Sequence, residues 1–89
     1  MAVMLAQHTV KDYKAWKTVY DSLVDLRASS GELSDQILRD ASDPNKLTLM
    51  FKWDSLDNAR KYAQSPELRS AMEKAGVLGP PTISFLNEA

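Results

Sequence analysis

The 89-residue sequence contains no cysteine, a single histidine and only three glycines. Without thiols there is neither a disulfide nor a thiolate metal site, and a reducing cytoplasm is the expected compartment. With His8 as the only imidazole, no zinc site or other metal centre is expected. The glycines all fall in turns, which leaves no glycine-rich loop to cradle a phosphate. Lysine and arginine are scattered, and the net charge is −1, so no basic patch draws the chain to nucleic acid or to an anionic membrane. No apolar run approaches the roughly 20 residues needed to span a bilayer, and the first residues lack the cationic start of a secretory signal. These absences predict a soluble cytoplasmic protein with no nucleic-acid or membrane partner.

What is present is an ordinary globular composition, 44% hydrophobic and 26% charged. We expect one domain over 1–89, and a domain that short hides only roughly 60% of its unfolded surface. Residues Ala2 to Val10 read as a strand, with Val3 and Leu5 on one face and Met4, Ala6, His8 and Val10 on the other. Asp12 then caps a helix from about Tyr13 to Ser29, whose apolar stripe is Trp16, Val19, Tyr20, Leu23, Val24 and Leu26. Gly31 ends it. Arg27 falls on that stripe near the helix end, where it is expected to snorkel outward.

Leu33 to Asp40 is a polar strand suited to a sheet edge, and Ser42-Asp43-Pro44-Asn45 turns it into the strongly apolar Lys46 to Trp53. Asp54 or Ser55 caps a second helix, which restarts at Ser65-Pro66 and ends at Gly76. Gly79-Pro80-Pro81 reads as a stiff turn before a last strand, Thr82 to Asn87.

The resulting order predicts an α+β, ferredoxin-like β-α-β-β-α-β fold: four antiparallel strands in spatial order 4-1-3-2 with two helices on one face. The helices cover one face only, yet strands one, three and four are apolar on both. A bare apolar face of several hundred Å² is unusual on a monomer. Two sheets meeting face to face in a symmetric homodimer resolve this. A base-stacking sheet of the same topology is the rival reading, opposed by the acidic balance.

The stretches His8-Thr9-Val10-Lys11-Asp12-Tyr13-Lys14-Ala15-Trp16-Lys17, Phe51-Lys52-Trp53-Asp54-Ser55, Ala59-Arg60, Ser65-Pro66-Glu67-Leu68-Arg69 and Ala75-Gly76-Val77 resemble the dimeric α+β barrel superfamily. They lie nearest its antibiotic-biosynthesis-monooxygenase-like group. The resemblance implies a homodimer whose paired sheets form a barrel, with a ligand pocket between sheet and helices in each subunit. Members of the group include cofactor-independent monooxygenases, lactone isomerases and haem-degrading enzymes, and several carry a histidine three residues before the Ser/Thr-Pro step. Here Tyr62 holds that place, which argues against haem degradation. The implied activity is that of a monooxygenase, cyclase or isomerase, without a cofactor, on a small cyclic or aromatic apolar molecule. The alternative is a ligand-binding or structural dimer without catalysis.

In this frame Arg39 lies at the same end of the sheet as His8. The two are candidates for general base and for electrostatic partner of a developing enolate or phenolate. The plainer alternatives are a histidine bonded to backbone or packed under Tyr13, and a solvated arginine on an edge strand. Tyr13, Trp16 and Tyr20, at helical spacing, together with Tyr62, are candidates to line the pocket and stack on a flat ring; core packing is their other reading.

Overall fold

In the computed structural model, which describes residues 1–89, the chain order is β1 (Ala2–Val10), α1 (Tyr13–Ser22), α2 (Val24–Ser30), β2 (Glu32–Arg39), β3 (Lys46–Trp53), α3 (Leu56–Ala63), α4 (Pro66–Lys74) and β4 (Val77–Asn87). The strands form one antiparallel sheet in the order β2-β3-β1-β4, the predicted arrangement. Caps fall where the short polar residues stand. Asp12 accepts from the Lys14 N–H at 3.3 Å, Ser55 from Asn58 at 3.1 Å and Ser65 from Leu68 at 3.2 Å. Pro66, at the start of α4, gives up an N–H that would have had no helical partner.

Alternation along the strands sorts the sheet into two faces. Met4, Ala6, Leu47, Leu49, Phe51 and Trp53 are buried beneath the helices with Trp16, Tyr20, Ala59 and Tyr62. Val3, Leu5, Leu38, Met50 and Leu86 lie on the opposite face, which no element of the chain covers; Met50 is 37% and Leu86 44% exposed. A polar pair, Gln7 donating to Thr48 at 3.3 Å, interrupts that face.

Three expectations are corrected. The helix drawn from Tyr13 to Ser29 is two helices, broken at Leu23, whose backbone leaves the helical region. The break has an identifiable cause. The Tyr20 carbonyl, freed from its helical partner, accepts a short-turn bond from the Leu23 N–H at 3.1 Å and a second bond from Nη1 of Arg27 at 2.8 Å. Arg27 therefore does not snorkel. It is 2% exposed, whereas Val24, assigned to the apolar stripe, is turned out to 53% exposure.

The third correction concerns Gly79-Pro80-Pro81, which is not a turn ahead of the last strand but part of β4. Gln7 pairs with Thr82 and Thr9 with Leu78, so Gly79, Pro80 and Pro81 together face the single residue His8. Two consecutive residues without an N–H cannot continue the ladder, and a bulge on an edge strand accommodates them.

Gly31 closes α2 at φ +115°. Its hydrogen stands against the Asp54 carboxylate, where a Cβ would collide, while its carbonyl accepts from the Asp54 N–H at 2.9 Å. Both the sign of φ and the close approach require glycine here.

Candidate functional site

An apolar cavity lies between the covered face of the sheet and the helices, bounded by Met4, Ala6, His8, Leu49 and Phe51 from the strands and by Trp16, Tyr20, Tyr62 and Met72 from the helices. About 60 Å³ of it is open to the centre of a water molecule, several times the roughly 10–15 Å³ that one water needs. Its only ionisable lining groups are His8, Tyr20 and Tyr62.

His8 projects from β1 onto the covered face, opposite Leu47 of β3. The bulge sets Pro81 at the cavity wall beside it. Its ring meets Trp16 edge-on, centroids 5.8 Å apart, and neither ring nitrogen has a protein hydrogen-bond partner. Burial pushes its pKa below the ordinary histidine value of 6.5, because the imidazolium would lose hydration with no counter-charge in return. At neutral pH the ring is therefore an uncharged imidazole with one free lone pair, the form a proton acceptor requires.

The aromatic residues of α1 form a continuous stack. Trp16 lies on Tyr20 at 4.8 Å and Tyr13 tilts against Trp16 at 5.8 Å. Trp16, Tyr20 and Tyr62 line the cavity; Tyr13 does not. Burial raises the pKa of both lining tyrosines, so both keep their protons at neutral pH. For Tyr20 the bond it donates to the Asp35 carboxylate acts in the same direction, and for Tyr62 the Arg27 charge pulls the other way.

Arg39 shares the end of the sheet with His8, since both are register partners of Leu47. It is nevertheless separated from the cavity. Its guanidinium lies 3.9 Å over the Tyr13 ring and its Nε donates to the Pro44 carbonyl at 2.8 Å. The structure thus brings together His8, Trp16, Tyr20 and Tyr62, and leaves Tyr13 and Arg39 as an outer layer stacked behind Trp16.

Sequence reasoning missed a buried charge cluster. Arg27 approaches Glu32 at 2.9 Å, off the line of a good hydrogen bond, and lays its guanidinium 3.7 Å over the Tyr20 ring. Burial raises the Glu32 pKa, and Arg27 opposes that rise. The available signal was the arginine on an otherwise apolar helical stripe. No three histidine, cysteine, aspartate or glutamate side chains come together as a metal-binding set, and no helix is long and apolar enough to cross a membrane.

The overall fold is shared with many solved structures, and the sequence assigns the chain to a family. The chain belongs to the antibiotic biosynthesis monooxygenase family, whose sequence profile it matches over residues 2–74. No functionally curated protein matches it in sequence. Among solved structures it is similar to SnoaB, a cofactor-independent oxygenase from Streptomyces nogalater, at TM-score 0.79 and 14% identity over 99% of this chain and 92% of that one. It is similar also to a protein from Bordetella bronchiseptica that carries the family's name, at TM-score 0.80 and 16% identity over 99% and 96% of the two chains. A third similarity is to Rv0793 from Mycobacterium tuberculosis, at TM-score 0.73 and 16% identity over 99% and 94%. Identities this low establish the shared fold and leave the chemistry to the residues of the site.

Proposed function

We propose that this protein is a cofactor-independent monooxygenase, cyclase or isomerase in which His8 takes a proton from a small, uncharged cyclic or aromatic substrate. The observation that carries this reading is the state of His8: a desolvated, uncharged imidazole without a protein hydrogen-bond partner, set in the wall of an apolar cavity. A substrate C–H or O–H placed against it would lose its proton to the free nitrogen, and Trp16 and Tyr20 offer flat surfaces to hold the ring. The family's name and the description of SnoaB as a cofactor-independent oxygenase favour oxygen as the next reactant. A cyclase or isomerase would return the proton at another atom. Arg39 serves at one remove, by holding Tyr13 behind Trp16.

The same reading takes the working unit to be a homodimer. The uncovered face of Val3, Leu5, Leu38, Met50 and Leu86 is apolar enough to require a partner, and a second copy of the same face is self-complementary under two-fold symmetry. A purely structural dimer would have its cavity filled by side chains, so the space beside His8 favours a ligand.

A thermal-shift panel of phenols, hydroquinones and naphthoquinones tests the reading, because a ligand that binds only the folded state raises the melting temperature. At least one of them is expected to stabilise the protein and to be turned over. The variant His8→Ala should keep the binding and lose the turnover. Turnover undiminished in His8→Ala removes His8 from the mechanism.

A further inference from the structure

The end of the cavity remote from His8 is backed by an indole and a buried ion pair. The lining reaches Met4 and Phe51 but not Ala2 and Trp53, the next inward-facing pair along β1 and β3. Beyond that limit stand Trp53, fully buried against Tyr62 at 5.3 Å, and Glu32, its neighbour across the sheet. Arg27 drops into this end from α2.

Its contacts converge on one lining residue. The guanidinium covers the Tyr20 ring at 3.7 Å and Nη1 holds the Tyr20 carbonyl at 2.8 Å, while Trp16 stacks on the same ring at 4.8 Å. The Tyr20 hydroxyl donates to Asp35 of β2. Ring, backbone and hydroxyl are thus each fixed. Tyr62, the other tyrosine of the wall, feels the same cation. A buried ion pair is weak as a source of stability, since hydrophobic groups of similar volume often do as well or better. A guanidinium, however, has a planar face and a rigid fork of donors that no apolar side chain supplies.

We infer that Arg27, anchored by Glu32, is a positioning residue that pins Tyr20 as the end wall of the cavity and so limits how large a ring system the cavity accepts. This rests on the cavity being the ligand site, but the pinning of Tyr20 is measurable without any ligand. The double variant Arg27→Met/Glu32→Gln removes both charges and leaves neither buried alone. Arg27→Lys keeps the charge and loses the plane and the fork.

Two measurements on folded protein decide the matter. With ring-labelled tyrosine, NMR of the native protein should show slow flipping of the Tyr20 ring, with separate signals for its two edges, and both variants should average them. Binding of phenol, 1-naphthol and 9-phenanthrol should favour the single ring in the native protein and move toward the larger rings by about tenfold in the double variant. Should that variant fail to fold, Arg27→Lys carries both measurements. Unchanged Tyr20 flipping in the folded variants overturns the inference, as does an unchanged order of affinities. If no probe binds either protein, the cavity reading fails on its own, and the ring-flip result still decides whether Arg27 pins Tyr20.

Discussion

The two faces of the sheet have similar raw material and opposite fates. On the covered face Leu47 and Trp53 are fully buried and Leu49 and Phe51 nearly so; on the other, Met50 and Leu86 remain more than a third exposed, with Val3 and Leu5 half-buried between them. Both sets alternate along the same strands, so strand propensity does not separate them. What separates them is the supply of helices, since both crossovers pass on one side. The covered face therefore accounts for folding within one chain. The other face carries apolar surface that the fold of a single chain leaves unused.

The largest effect that would sharpen this contrast is on the covered side. Trp53→Ala should destabilise the chain by about 3–5 kcal/mol, the usual range for a large buried aromatic. That is most of what a small domain possesses, and urea unfolding followed by circular dichroism should show it. Met50→Arg, one position from Leu49 and Phe51 but on the opposite face, should leave the circular dichroism spectrum native and, on the homodimer proposed above, sediment as a monomer where the native chain sediments as a dimer. An unfolded Met50→Arg chain would mean that the two faces are not separable. Ser65→Ala removes the cap that starts α4 over the covered face, and should cost about 1 kcal/mol in the same urea assay.

The smallest effect is confined to acid. The folded pKa of His8 lies below 6.5, so between the two values the unfolded chain binds more protons and stability falls as pH falls. His8→Leu should remove that component. The difference between native and variant urea midpoints should therefore change as pH drops from 7 toward 5 and stay level above 7. A difference that stays level throughout would place His8 in contact with water instead of in an apolar wall. Glu32, whose folded pKa is raised, contributes in the opposite sense, and comparison with the variant cancels it.

The two-sided character of the sheet was legible because alternation is a local property that each strand carries by itself, and strand order followed from the β-α-β-β-α-β sequence of elements with right-handed crossovers. The common end of His8 and Arg39 followed too, because β1 and β2 flank β3 and both meet Leu47. That only His8 reaches the cavity was not legible, since it depends on Tyr13 lying between Arg39 and Trp16. The helix break at Leu23 was hidden for a related reason. Nothing around Leu23 breaks a helix by propensity; the break is set by Arg27 reaching back to the Tyr20 carbonyl from a position held by Glu32 of β2. Gly79-Pro80-Pro81 misled because the pattern that favours a turn also favours a bulge on an edge strand, and only the pairing with β1 distinguishes them.

Those two prolines have a consequence outside the cavity. β4 forms one rim of the sheet, and an unprotected rim of backbone donors and acceptors is a template onto which foreign strands can zip, ending in fibrils. Pro80 and Pro81 offer no N–H to an incoming strand, and the kink they occupy interrupts the straight row that templating requires. The irregularity that faces His8 is thus also a guard against runaway polymerisation along that rim.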